Sequence, residues 1–432
     1  MSALAPEAID GRAVLYCGDC LVVLPTLAEN SIDSCVCDPP YHLTSIVKRF
    51  GADNAAPAKA GKTGAYARAS AGFMGKKWDG GDIAFRPETW TEVLRVLKPG
   101  AYLLAFSSTR TFGRMQVACE DAGFITHPFI AWIFGQGFPK ATRVDDDAWE
   151  GWRYGTQSLK PAIEPIYVGQ KPFEKGLTGT ENIRKWGVGA VNIDGCRVAT
   201  SVTDQDAMAR VVGFNKSYSH GEPGTTLAGS ADGSLHKRDR SEFDATRGRW
   251  PANVIHDGSD EVLAAFPDLH GAGHVREEPG GGTYVKSSND CDFGGIGIGM
   301  KGFRIGDSGS AARFFYSAKA DDGDRLGSKH PTVKPVDLIA YLVRLITPKR
   351  GTVLDLFAGT GTTGEAAYRE GMRSVLIERE EEYQADIRRR MKLAMAGPDE
   401  RARETVKAKM KGKPVDNGPL FNAGDETPEA AE

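Results

Sequence analysis

The apolar run Thr352-Val353-Leu354-Asp355-Leu356-Phe357 enters the turn Ala358-Gly359-Thr360-Gly361, and a helical pattern from Thr362 to Gly371 leads on to a second apolar run, Ser374 to Ile377. This is a strand-helix-strand unit, whose strands lie parallel and whose crossover is right-handed. The same texture runs from Arg12 to about Gly169: Ala13 to Tyr16, Ser34 to Cys37, Ala101 to Phe106, Phe129 to Phe134 and Glu164 to Val168 read as strands. Cys20 to Leu27 and Pro87 to Leu97 read as helices between them, and Lys98-Pro99-Gly100 is expected to break the second before the next strand starts. Strands alternating with helices indicate an α/β sheet covered on both faces.

Charge and cysteine usage narrow the class further. The chain of 432 residues has 54 Lys plus Arg against 57 Asp plus Glu, a net charge of -3, so it has no uniformly basic coat and any nucleic-acid surface must be local. Seven cysteines spread over this length read as reduced thiols, which points to the cytoplasm. No run of about 18 apolar residues occurs, and the N-terminus has no apolar signal core, so neither a membrane span nor an export signal is expected. Cys17 and Cys20 with Cys35 and Cys37 flank core strands, where buried thiols are common, and no metal site is expected.

Two motifs carry chemistry. Glycines at 359 and 361 let a ligand approach the backbone, and Glu378 ends the following strand, where it can accept hydrogen bonds from ribose hydroxyls. Gly359, Gly361 and Gly364 also fit a dinucleotide fingerprint, so a NAD-dependent oxidoreductase is one reading of this half alone. The second motif, Asp38-Pro39-Pro40-Tyr41, follows the run Ser34 to Cys37. Successive prolines end a strand and leave carbonyls without donors. A carboxylate beside them can accept the hydrogens of an exocyclic amine, and the aromatic ring can stack on the base that carries it.

With Gly18-Asp19-Cys20 upstream, and His330-Pro331-Thr332-Val333-Lys334-Pro335 ahead of Phe357-Ala358-Gly359-Thr360-Gly361-Thr362-Thr363, the chain resembles the β group of amino-group DNA methyltransferases that use S-adenosylmethionine. In that group the catalytic tetrapeptide precedes the cofactor loop and the target-recognition region lies between, as here. Trp78-Asp79, Glu164-Pro165 and Arg313-Phe314-Phe315-Tyr316 are similar to segments of solitary adenine methyltransferases of phages and prophages. The resemblance covers roughly residues 13 to 175 and 310 to 390, and Leu356 departs from it where many relatives have proline.

The resemblance implies a Rossmann-like methyltransferase core, with a mixed, mostly parallel seven-stranded sheet and helices on both faces, split by an inserted loop-rich recognition domain. Together with the texture of the sequence, which is basic and aperiodic after Tyr41, rich in Gly, Ser and Asp in the middle and acidic at the end, this gives a first core half at 1–175 with a mobile basic loop at 48–80, an insert at 176–320, a second core half at 321–395, and a basic helix with an acidic tail at 396–432. Asp38, Pro39, Pro40 and Tyr41 are then catalytic. Asp19, Thr332, Lys334, Asp355, Phe357, Gly359, Thr360, Gly361, Thr362 and Glu378 are expected to bind S-adenosylmethionine, with Asp19 by its adenine, Thr332 and Lys334 near its methionine end, and Glu378 on the ribose. The implied activity is adenine-N6 methylation of a flipped-out base in DNA, site-specific or relaxed, of the kind found in restriction-modification systems; homodimers are common among relatives.

Cytosine-N4 methylation uses the same chemistry, but such relatives more often carry Ser in place of Asp38. Ring-carbon methylation needs a nucleophilic cysteine after a proline, and no Pro-Cys pair occurs. A non-catalytic DNA-binding protein leaves two intact motifs unused. For DNA contacts the candidates are Lys76 and Lys77 in the basic loop, and Arg238, Arg240, Arg247 and Arg249 in the insert, which as a whole is not basic, with 16 Lys plus Arg against 18 Asp plus Glu. The basic C-terminal helices read either as phosphate-tracking or as solvated faces.

Overall fold

The computed structural model describes residues 5–41, 82–201, 245–269, 309–318, 322–328, 330 and 332–410. Ten strands form one sheet: β1 (Glu7–Asp10), β2 (Ala13–Cys17), β3 (Ile32–Cys37), β4 (Leu97–Phe106), β5 (Ile125–Ile133), β6 (Ile163–Gln170), β7 (Val254–His256), β8 (Tyr316–Ser317), β9 (Thr352–Asp355) and β10 (Arg373–Glu378). Their spatial order is β1-β2-β10-β9-β3-β4-β6-β5-β7-β8. The run β2-β10-β9-β3-β4 is parallel, while β6 is antiparallel to both of its neighbours.

The seven strands β2 to β5 in this order are the expected Rossmann-like core. The sheet is wider than that core because β1 pairs antiparallel with β2, and β7 and β8 add in parallel beyond β5. β7 and β8 both come from the span 176–320, so parts of that span are built into the sheet. The 48–80 loop lies outside the described residues.

The helices are α1 (Cys20–Val23), α2 (Pro87–Val96), α3 (Phe112–Asp121), α4 (Gly179–Trp186), α5 (Asp260–Ala265), α6 (Val336–Ile346), α7 (Thr362–Arg369), α8 (Glu381–Ala396) and α9 (Pro398–Met410). All six residues of β3 are buried, as a strand covered on both faces demands. Cys35 and Cys37 pack with Trp90, Val93 and Met115 of α2 and α3 on one face. Val36, Leu104 and Phe106 pack with α6 on the other. Among the described residues no helix is long and apolar enough to cross a membrane.

β4 starts four residues earlier than expected. Lys98, Pro99 and Gly100 belong to the strand: Leu97 already pairs with Ile32 of β3, and the Pro99 and Gly100 carbonyls accept from Asn182 Nδ2 at 2.8 Å and Gln170 Nε2 at 3.0 Å. Gly100 has φ +87°, a left-handed backbone that glycine adopts freely, and its amide donates to the Lys171 carbonyl at 3.0 Å.

Candidate active site

From β9 the chain winds to one side of the sheet, and from β3 to the other, which opens a crevice at their carboxyl ends. Both sequence motifs end there. Asp38 follows β3, Asp355 ends β9, Glu378 ends β10, and Gly18-Asp19 follows β2. They line a cleft of about 1420 Å³ together with Pro39, Pro40, Tyr41, Thr332, Lys334, Phe357, Gly359, Thr360 and Thr362. Among the expected site residues that the structure describes, Gly361, Arg247 and Arg249 fall outside the cleft lining. Gly361 faces α8, where a Cβ would lie 3.1 Å from Ile387 Cγ1.

The tetrapeptide half is a tight polar cluster. Tyr41 donates its hydroxyl hydrogen to Asp38 Oδ1 at 2.7 Å. Lys334 Nζ lies 2.9 Å from Asp38 Oδ2, 2.9 Å from Glu164 Oε2 and 3.1 Å from the Tyr41 hydroxyl, so all three ammonium hydrogens have acceptors. Lys334 is only 8% exposed. Burial works against its charge, but Asp38 and Glu164 outweigh that and hold its pKa above the usual lysine range. Burial, reinforced by the same two carboxylates, raises the Tyr41 hydroxyl. Lys334, expected near the cofactor's methionine end, is therefore bound to the Asp38-Tyr41 tetrapeptide.

Glu164 escaped the sequence reading as a site residue. It sits at the amino end of β6, and only the antiparallel pairing of β6 with β4, which sets Phe106 opposite Ile166, brings that end to the carboxyl edge of the parallel strands. Strand direction has no local signal in the residues themselves. His330 and Tyr383 also line the cleft, their rings edge-on with centroids 4.5 Å apart. A Cβ on Gly359 would lie 3.5 Å from His330 Nε2, which places the imidazole against the glycine turn.

The glycine half is held by carboxylates. Asp355 Oδ1 accepts from the Phe357 amide at 3.0 Å and Oδ2 from the Thr363 hydroxyl at 2.6 Å, closing the turn on itself. Its burial pushes the carboxyl up to about 7. Glu378 Oε2 accepts from the Gly359 amide at 2.7 Å and Oε1 from the Glu380 amide at 2.8 Å. A carboxylate can accept about four hydrogens, so acceptor capacity remains for a ligand diol. Burial raises the Glu378 carboxyl as well. Asp19 caps α1, accepting from the Leu21 amide at 2.9 Å.

The family model described as DNA methylase, of the N6 and N4 methyltransferases, matches residues 32–389. The chain belongs to that family. Its membership removes the dinucleotide reading of the glycine turn. Type II methyltransferase M.HindIII of Haemophilus influenzae is 29% identical over 200 residues, 41% of this chain and 64% of that protein. Type II methyltransferase M2.DpnII of Streptococcus pneumoniae is 38% identical over 68 residues, 16% of this chain and 25% of that one. The chain thus spans less than two thirds of the length of either curated relative. Among solved structures, the PvuII DNA methyltransferase (cytosine-N4-specific) is similar at a TM-score of 0.40 and 13% identity, covering 92% of this chain and 93% of its own.

Two of the basic residues expected to meet DNA are visible in the structure. Arg247 pairs with Asp194 at 3.3 Å, and the Arg249 guanidinium lies 4.6 Å from the centre of the Phe314 ring. Lys76, Lys77, Arg238 and Arg240 lie outside the described residues. The C-terminal helices spend several of their charges internally: Arg388 on Glu7, and Arg390 and Arg401 on Glu365.

Proposed function

We propose that the chain is an S-adenosylmethionine-dependent DNA methyltransferase acting on the N6 amine of adenine. The observation that carries this reading is the meeting of Asp38-Pro39-Pro40-Tyr41 with the glycine turn and Glu378 in one cleft. The residues fit the cofactor: Glu378 has lone pairs for a ribose diol, and the carboxylates of Asp355 and Glu378 beside the glycine turn favour a cationic sulfonium over a pyrophosphate. Asp19, Phe357, Gly359, Thr360, Thr362 and Glu378 would hold it. S-adenosylmethionine supplies an electrophilic methyl group activated by the sulfonium charge.

The protein's part is to make a poor nucleophile available. The adenine amine is delocalised into its ring; Asp38 and the Pro39 carbonyl, accepting its two hydrogens, favour a pyramidal nitrogen with an exposed lone pair. Tyr41, anchored through its hydroxyl, offers a ring to a base that has left the duplex stack. Asp38 takes no covalent role, and the amine proton leaves after transfer. Asp38 rather than serine at the head of the tetrapeptide supports adenine. Lys76, Lys77, Arg238, Arg240, Arg247 and Arg249 are proposed DNA contacts.

The test is incubation of the full chain with unmethylated DNA and radiolabelled S-adenosylmethionine, followed by nucleoside mass spectrometry. Label in N6-methyladenine that disappears in Asp38→Ala is the expected result. Label in N4-methylcytosine overturns the choice of base, and no label on DNA overturns the activity.

A further inference from the structure

We propose that Glu164 is a positioning residue for methyl transfer, acting through Lys334 on Asp38 and on the charge felt by the reacting amine. This rests on the reading of the chain as an amino methyltransferase. Lys334 touches Asp38 Oδ2 and Glu164 Oε2 at the same distance, 2.9 Å, so the ammonium is shared between two carboxylates instead of belonging to one. The Tyr41 hydroxyl lies 3.4 Å from Glu164 Oε2 and takes a third ammonium hydrogen, which locks all four side chains into one arrangement.

The charge count gives this arrangement a purpose. A lone Lys334–Asp38 pair would be neutral, with a cation beside a nitrogen that becomes positive as the methyl arrives. Adding Glu164 makes the cluster one positive and two negative charges, net negative, and the site then stabilises the charge that develops on the amine. Glu164 also competes for the ammonium, which leaves Asp38 more free to accept the amine hydrogens. Lys334 in turn prevents two carboxylates from facing each other unscreened, and holds them where Asp38 meets the base. Neither effect requires Glu164 to touch the substrate.

The experiment uses the full chain and compares wild type, Glu164→Gln, Glu164→Asp and the double variant Glu164→Gln/Lys334→Met, measuring methyl transfer to DNA and the affinity for S-adenosylmethionine. Glu164→Gln is expected to lower kcat by about tenfold or more, with cofactor Kd and DNA KM changed less than about threefold, and Glu164→Asp to recover part of the loss. The double variant removes one charge of each sign and restores the net charge, so it is expected to be faster than Glu164→Gln alone. It also removes the ammonium that Glu164→Gln leaves with one carboxylate fewer, so it reports even where the single variant folds poorly. A kcat for Glu164→Gln within about threefold of wild type overturns the proposal. So does a parallel loss of cofactor affinity, or a Glu164→Asp variant no faster than Glu164→Gln. A wild-type protein that methylates no DNA defeats the underlying reading instead.

Discussion

Arg390 Nη1 lies 2.8 Å from Glu365 Oε2, with the two side chains 2% and 0% exposed, and the same guanidinium donates from Nε to the carbonyl of Thr360 at 2.8 Å. A buried charge on α8 thus fixes the carbonyl at the centre of the glycine turn. Burial pushes the Glu365 carboxyl up, but Arg390, Arg401 and Arg369 outweigh it and hold the group below the usual range. Arg390→Ala removes the most buried of the three guanidiniums around Glu365 and takes the donor from the Thr360 carbonyl, and is expected to cost about 2–4 kcal/mol. Arg401→Ala leaves two of the three guanidiniums and costs about 1–2 kcal/mol. Chemical denaturation of the two variants checks the order; equal losses would contradict it.

The glycine turn and the proline tetrapeptide were legible because each is a local arrangement: a strand stop, a small-residue turn, a carboxylate beside donor-free carbonyls. The α7 helix was legible for the same reason, the pattern from Thr362 to Gly371 matching Thr362–Arg369. What stayed hidden depends on pairing over distance. Glu164 enters the site through the direction of β6, and the Glu365 network joins α7 to α8 and α9, where the arginines of the C-terminal helices read in sequence as phosphate-tracking or solvated charge. The early start of β4 was missed because Pro99 and Gly100 signal a break locally, and the partners of this stretch, Ile32, Asn182 and Gln170, lie far off in the sequence.

At Gly361 the constraint is conformational and steric together. Its φ is +81°, and a Cβ would lie 3.1 Å from Ile387 Cγ1. Gly361→Ala is expected to destabilise the protein by about 1–3 kcal/mol and to weaken binding at the turn. Gly113, in the first turn of α3, has nothing within 4 Å of its added Cβ, so Gly113→Ala should be neutral or stabilising by up to about 1 kcal/mol. Melting temperatures of the pair decide the matter: equal shifts would mean the left-handed turn is not what glycine provides.

Asp33 joins three neighbouring strands at the middle of the sheet. One carboxylate oxygen lies 2.6 Å from Lys98 Nζ on β4, and the other accepts from the Thr352 amide of β9 at 2.7 Å. Asp33→Ala leaves a half-buried ammonium and an amide without acceptors, at a cost of about 2–4 kcal/mol. Asp33→Asn keeps an acceptor for Thr352, so its cost is smaller, about 1–2 kcal/mol. Urea unfolding that ranks the two variants equally would show that the Thr352 bond contributes nothing.

Asp355 makes cofactor binding depend on pH. Burial holds its carboxyl up at about 7, so near neutrality the free protein carries it partly protonated. A sulfonium cation in the cleft favours the carboxylate and pulls that pKa down. Binding then releases protons, and affinity rises as pH climbs toward and through 7, levelling off once the free protein is itself ionised. Each unit by which the ligand lowers the pKa makes S-adenosylmethionine bind about tenfold tighter above the window than below it. Glu378, raised in the same way, adds to the slope at lower pH, and His330, whose pKa burial lowers, acts in the same direction by gaining charge only in acid. S-adenosylhomocysteine, a thioether without the sulfonium charge, should show a flatter profile, and Asp355→Asn should remove the part centred near 7. Titration calorimetry across that range, in buffers of different ionisation enthalpy, measures both the affinity and the protons released. If the two ligands show the same slope, the charge of the sulfonium is not what Asp355 responds to.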